Sequence, residues 1–170
     1  MGNIYLIGMM GSGKSVTAKR LAALMEYGFV DLDQCIQEKT KRSIHDLFEK
    51  EGEPFFRDQE AAILKEVSRM DRRVVATGGG TILRRANVDA MKTSGKIIFL
   101  ETSIEVLWER VKEKKDRPLL KGADPKASLT RILAERLPLY EGGCGFRVNT
   151  DGQTADQVAR KIFTLLEKEN

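Results

Sequence analysis

An α/β fold is predicted, with a five-stranded parallel sheet flanked by helices on both faces in three layers. Three observations predict it. Five short apolar runs are separated by segments of helical periodicity, which is the pattern of a sheet buried on both sides. The first run, Ile4-Tyr5-Leu6-Ile7, leads into Gly8-Met9-Met10-Gly11-Ser12-Gly13-Lys14-Ser15. Beyond that loop, Val16, Leu21, Leu24 and Met25 recur at helical spacing among Lys and Arg. Strand, glycine loop and helix therefore follow one another in that order.

The loop fits G-x-x-x-x-G-K-[ST], the phosphate-cradling P-loop. Glycines at 8, 11 and 13 let the backbone curl so that successive N–H groups face phosphate oxygens. Lys14 adds a point charge for the β- and γ-phosphates, and the Ser15 hydroxyl can ligate Mg²⁺. The following helix turns its positive end to the same anion. A nucleoside triphosphate is the ligand this arrangement calls for.

The remaining strands are expected at Phe29-Val30-Asp31, Arg73-Val74-Val75-Ala76, Ile97-Ile98-Phe99-Leu100 and Phe146-Arg147-Val148. Two insertions interrupt the alternation. The first, about 33–69, holds more than one helical pattern, broken at Gly52 and Pro54, and is expected to lean over the loop ends of the sheet as a helical substrate-binding subdomain. The second, about 112–124, is charged, with Pro118, Gly122 and nearby Pro125, and is expected to bury little and act as a mobile lid. At 170 residues the whole chain, 1–170, reads as one domain.

Ligands of such sheets sit beyond the carboxyl ends of the strands. That rule gathers the P-loop, Asp31 and Asp33, Gly78-Gly79-Gly80 and the lid around one cleft. Of the two carboxylates, one can organise Mg²⁺ and its waters while the other accepts a hydrogen bond from an attacking hydroxyl. The structural alternative is that Asp33 caps the helix it precedes. Three consecutive glycines cost backbone entropy, and close approach of a ligand to bare N–H groups is the expected reason.

Composition narrows the choice. Apolar residues at 41% and charged residues at 32% suit an ordinary globular domain, and no apolar run approaches a membrane span. A strand pattern starting by the fourth residue leaves no room for a signal peptide. Cys35 and Cys144 lie outside any metal-ligand spacing and are expected as reduced thiols in a cytoplasmic protein. The net charge of +4 comes from basic residues dispersed among acidic ones, which disfavours nucleic acid and suits anionic small ligands. His45 reads as a surface helix residue, and Leu107, Trp108 and Val111 as packing. No function suggests itself for the Gly142-Gly143-Cys144-Gly145 run, which reads as unusually flexible.

The P-loop, the Asp31-Leu32-Asp33 pair, Phe55-Phe56-Arg57-Asp58-Gln59-Glu60, the triple glycine, Arg117-Pro118-Leu119-Leu120 and Arg136-Leu137-Pro138-Leu139-Tyr140 together resemble the shikimate kinase family, in order and approximate spacing over nearly the whole chain. The resemblance implies a P-loop kinase fold and transfer of the ATP γ-phosphoryl group to the 3-hydroxyl of shikimate, with Mg²⁺ as cofactor. By motif, the nucleotide falls to Gly11, Ser12, Gly13, Lys14, Ser15 and Val16, with Arg110 stacking on adenine, Gln153 near the base and Arg117 of the lid on the phosphates. Asp33 resembles the residue that binds the shikimate hydroxyls and acts as base. Arg57 and Arg136 resemble the pair gripping the carboxylate, with Glu60 steadying Arg57 and with Gly79 and Gly80 against the ring. Ser15 and Asp31 resemble the Mg²⁺ residues, the latter acting through water. Lys14, Asp33 and Arg117 form the catalytic set. The implied partner is shikimate alone, with no nucleic acid and no membrane, and the chain is expected as a monomer.

The segment Asn149 to Thr154 departs from the family pattern, because it offers no arginine to the adenine. Rival readings are a kinase of gluconate or of a nucleoside monophosphate, a nucleotide-dependent switch, and a nucleic-acid-dependent ATPase. The chain lacks the Asn-Lys-x-Asp guanine signature a switch would carry. Without the resemblance, Arg57 and Arg136 read as solvated residues of Glu- and Lys-rich helices.

Overall fold

The computed structural model describes residues 2–113, 118–120 and 122–168. Five strands, β1 (Asn3–Ile7), β2 (Gly28–Asp31), β3 (Arg73–Ala76), β4 (Gly95–Glu101) and β5 (Phe146–Asn149), form one sheet in the order β2-β3-β1-β4-β5. Every neighbouring pair is parallel. All five expected strands are present, so their carboxyl ends lie along one edge. The helices are α1 (Lys14–Met25), α2 (Leu32–Thr40), α3 (Ile44–Lys50), α4 (Gly52–Val67), α5 (Arg85–Ser94), α6 (Ile104–Val111), α7 (Pro125–Gly143) and α8 (Ala155–Glu167).

The period-2 alternation of the strands divides the core into two layers. Ile4, Leu6, Val74, Ala76, Ile98 and Leu100 face α1 and α8, where they meet Ala18, Leu21, Val158 and Ile162. Tyr5, Ile7, Val75, Ile97 and Phe99 face the other way and meet Ile36 of α2, Leu47 of α3, Leu64 of α4, Met91 of α5 and Tyr140 of α7. Because both faces are covered, the strands read as continuous apolar runs rather than alternating ones.

Local signals fix the helix starts. Ser43, Ser103, Asp124 and Thr154 cap α3, α6, α7 and α8 through side-chain oxygens, and Thr154 forms a capping box with Gln157. The aspartate that caps α2 is Asp31, whose Oδ1 accepts from the Gln34 N–H at 3.2 Å. Asp33, expected as a possible cap, lies instead inside the first turn. The helix starts one residue after β2 ends, so the cap position falls on the last residue of the strand.

Two further expectations change. The 142–145 run is not an isolated flexible loop. Gly142 and Gly143 complete the last turn of α7, and a Cβ on buried Gly143 would lie 2.6 Å from Ile82 Cδ1. Within the second insertion, Pro118–Leu120 form a 3-10 turn. Its Leu120 is buried with Leu107, Val111, Leu129 and Ile132, so part of that charged segment does contribute to a core. Leu107 and Val111 are core residues, as expected, with Trp108 packed against them.

At the amino end of the sheet, fully buried Asn3 ties three segments together. Its Nδ2 donates to the Tyr5 hydroxyl at 3.1 Å, to Val67 O at 3.3 Å and to Met70 O at 2.9 Å, while its Oδ1 accepts from Arg73 N at 3.0 Å. An apolar side chain there would strand several buried groups at once. Asn3→Leu should lower unfolding free energy by about 2–4 kcal/mol, read from urea titration, with catalytic constants unchanged because the site lies at the opposite sheet edge.

Candidate active site

Two adjoining hollows open at the carboxyl edge. The phosphate cleft, about 430 Å³, is built on the P-loop, Asp31 and Arg110. The second cavity, about 270 Å³, is lined by Arg57, Arg136, the triple glycine and the rings of Phe48 and Phe56. Asp33, Gly79 and Met10 line both. The wall between the hollows therefore joins the Asp33 carboxylate, the bare Gly79 peptide and Met10 of the P-loop.

The P-loop has the curl its spacing demands. Gly11 and Gly13 hold φ of 82° and 86°, in the left-handed region that a side chain disfavours. Lys14 is nearly buried, and its Nζ donates to Gly8 O at 2.8 Å and Met9 O at 2.9 Å, which pins the charge across the loop. The buried Ser12 hydroxyl has no hydrogen-bond partner among the described residues. An orphan hydroxyl in a cradle of N–H groups fits a phosphate oxygen. Val16 lies exposed on the first turn of α1 and lines the same cleft.

Ser15 donates to Asp31 Oδ2 at 2.5 Å at the open mouth of that cleft. A hydroxyl and a carboxylate side by side are hard oxygen donors that suit Mg²⁺, which keeps most of its waters and takes its other ligands from phosphate. Among the described residues no group of three or more His, Cys, Asp or Glu side chains could cage a metal. The donor set thus fits a phosphate-borne ion rather than one held by protein alone.

The acceptor cavity shows why the two arginines are not surface residues. Arg57 and Arg136 are 7% and 6% exposed, so the solvated-helix reading fails for both. Arg57 Nη1 meets Glu60 Oε2 at 3.2 Å, its Nη2 meets Glu53 Oε1 at 3.0 Å, and its guanidinium lies 5.1 Å from the Phe56 ring centre. Glu60 is wholly buried, and its Oε1 accepts from Thr81 Oγ1 at 2.6 Å. Removing one member of such a buried pair typically costs about 3–5 kcal/mol, because the other charge is stranded.

The glycines find their reason here. A Cβ on Gly78 would collide with the Glu60 carboxylate, and one on Gly80 with the Arg57 guanidinium. Two of the three are therefore required by the protein's own buried ion pair, not in the first place by a ligand. Gly79 is different. It faces both hollows, and a Cβ there would lie 3.4 Å from Met10 N and 3.5 Å from Arg136 Nη1.

Some predicted residues lie elsewhere. Gln153 lines neither hollow; its Nε2 donates to Asn149 O at 2.7 Å and closes its own loop. That loop is locked to the segment between β4 and α6 by the Thr102–Thr150 hydroxyl bond at 2.6 Å and by Asp151 accepting from Ser103 N at 3.1 Å. Arg110 stands exposed on α6 with Nη1 donating to Gly11 O at 3.1 Å, at the rim of the phosphate cleft. Arg117, with residues 114–116 and 121 of the same insertion, lies outside the described residues. His45 is partly exposed beside Glu49 Oε1 at 3.4 Å, as a surface residue should be, yet it also lines the acceptor cavity.

Two residues of the site had no role in the sequence reading. Thr81 follows the glycines and anchors Glu60. Tyr140, one turn beyond Arg136, is buried and donates to Gly79 O at 2.5 Å. Its i+4 spacing from Arg136 was the available signal, since that spacing puts both on one helix face. Burial pushes the Tyr140 hydroxyl from about 10 up to about 12, against the opposing charge and hydrogen bonding of Arg136. The folded hydroxyl therefore loses its proton later than the unfolded one. Its contribution to stability is fully present below pH 10 and is lost as pH rises towards 12. Tyr140→Phe should remove that part of the alkaline loss, seen as a shallower fall in urea midpoint between those pH values.

With this geometry in view, comparison with known proteins is direct. The shikimate kinase family model matches residues 10–167. A shikimate kinase of Thermodesulfovibrio yellowstonii is 40% identical over 168 residues, covering 99% of this chain and 96% of that protein. One from Halorhodospira halophila is 42% identical over 164 residues, covering 96% and 93%. The structure of shikimate kinase from Acinetobacter baumannii in complex with shikimate superposes with a TM-score of 0.97 at 36% identity, covering 100% of this chain and 95% of that one. A P-loop, a buried arginine pair and a shared glycine wall thus occur in a chain that belongs to the shikimate kinase family.

Proposed function

We propose that the chain moves the γ-phosphoryl group of ATP to the 3-hydroxyl of shikimate, giving shikimate 3-phosphate and ADP on the route to chorismate and the aromatic amino acids. One observation carries the reading: Asp33 and Gly79 line both the phosphate cleft and the arginine cavity. An acceptor held in one hollow thereby meets the terminal phosphate of a nucleotide held in the other.

Each group has a part. Arg57 and Arg136 grip the acceptor carboxylate, for which a planar guanidinium offers parallel donors. Asp33 accepts a hydrogen bond from the attacking hydroxyl and orients it. Gly79 and Gly80 let the ring lie close to the peptide backbone. Lys14 and the N–H groups of residues 11–16 balance the negative charge that spreads over the transferring group in a loose transition state. Ser15 and, through water, Asp31 would hold Mg²⁺, which would supply charge neutralisation for the phosphates. Arg110 meets the adenine side. The 112–124 insertion serves as the lid, bringing Arg117 to the phosphates and excluding water from the transfer.

We read residues 1–170 as a single domain, acting as a monomer in the cytoplasm without nucleic acid or membrane. Free thiols at Cys35 and Cys144 fit a reducing compartment, and no described helix is long and apolar enough to cross a membrane.

Coupled assays with shikimate, gluconate and AMP in parallel should give efficient turnover of shikimate alone; equal rates on the three would refute the assignment. Arg57→Ala and Arg136→Ala should each raise the KM for shikimate roughly 10- to 100-fold while leaving the KM for ATP within a few-fold, since each removes charge-assisted bonds to one ligand only. Asp33→Asn should lower kcat by about 10²-fold or more with nucleotide binding intact, measured by calorimetry with ADP.

A further inference from the structure

We propose that Tyr140 is a positioning residue: its hydroxyl joins Arg136 to the Gly79 peptide, so that the arginine gripping the acceptor and the wall facing the phosphates are set by one group. This rests on the reading that Arg136 holds the acceptor carboxylate.

The geometry is specific. Tyr140 is 1% exposed, and its ring stacks on Phe99 of β4 at 5.1 Å between centres and 18° between planes. A ring seated on a central strand cannot drift, so its oxygen is fixed. That oxygen donates to Gly79 O at 2.5 Å, with Met9 Sδ of the P-loop 3.9 Å away. Arg136 Nη1 comes to the same peptide, 3.5 Å from where a Cβ on Gly79 would stand, and its positive charge acts on the Tyr140 oxygen. The space a Cβ on Gly79 would enter is bounded by Arg136 Nη1 and by the backbone of Met10 and Gly8, at 3.4–3.6 Å. A continuous path of contacts runs from acceptor arginine through Tyr140 and Gly79 to the phosphate loop.

The two arginines are also oriented by different chemistry. Arg57 is held by the carboxylates of Glu53 and Glu60. No ion pair joins Arg136 to a carboxylate among the described residues, and its neighbour is a neutral hydroxyl. A neutral partner fixes the direction of the fork without cancelling its charge, so Arg136 keeps its full attraction for an incoming carboxylate. Because Tyr140 remains protonated through the working pH range, its one proton stays committed to Gly79 O and its lone pairs stay open to Arg136.

The test is Tyr140→Phe, which deletes one oxygen and keeps the stack, combined with Arg136→Ala in a double-mutant cycle. Expected for Tyr140→Phe is a roughly tenfold loss in kcat/KM for shikimate, with the KM for ATP within about twofold of the unaltered chain. In the cycle, the phenylalanine substitution should cost little once Arg136 is gone, because it acts through that residue. Unchanged shikimate kinetics in Tyr140→Phe, or losses that simply add in the double variant, would overturn the inference. So would equal losses for both substrates accompanied by a lowered Tm, the mark of a purely structural role. Absence of shikimate turnover by the unaltered chain would instead sink the functional reading beneath it.

Discussion

Glu60 sits at zero exposure with one oxygen on Arg57 and the other on Thr81, and most of the acceptor cavity is arranged around that carboxylate. A buried charge is tolerated only when its partners are complete. Completing them dictates the neighbourhood. Arg57 must lie inward over the Phe56 ring, Thr81 must follow the sheet edge closely, and positions 78 and 80 must carry no Cβ. The motif that looks like a ligand cradle is thus first a clearance for an ion pair. All three glycines line the acceptor cavity, and Gly79 alone of them also lines the phosphate cleft.

The same economy appears in the phosphate cleft. Asp31 both starts α2 and accepts the Ser15 hydroxyl, so one side chain fixes a helix and sets a pair of hard oxygen donors at the mouth of the cleft. Moving the cap back to the end of β2 frees Asp33 from capping and turns its carboxylate to the boundary of the two hollows. Strand length and side-chain placement are coupled here: a strand two residues longer would bring Asp33, not Asp31, to the cap position.

Much of the fold was legible from the sequence, because doubly covered strands must be apolar along their whole length and the P-loop spacing forces its own geometry. All five strands and the strand–loop–helix opening follow from those two constraints. The site was less legible. Periodicity places Arg57 and Arg136 on charged helices and by itself suggests solvent; only the ordered set of motifs shared with a known family pointed inward. Tyr140 belonged to a quoted motif and stood at i+4 from Arg136, yet nothing local reveals that its oxygen reaches a peptide 61 residues away. The 142–145 glycines misled for the opposite reason. Composition suggested looseness, whereas Gly143 is small because Ile82 fills the space its side chain would need.

At Gly79 the partition between the two hollows carries no side chain, and this bears on how the protein could be blocked. A single compound carrying a carboxylate at one end and a phosphate mimic at the other need cross only that partition to engage both halves. Tethering the two fragments would make the second contact intramolecular, so affinity would grow well beyond either fragment alone. A bulkier partition would deny such bridging inhibitors their shortest route.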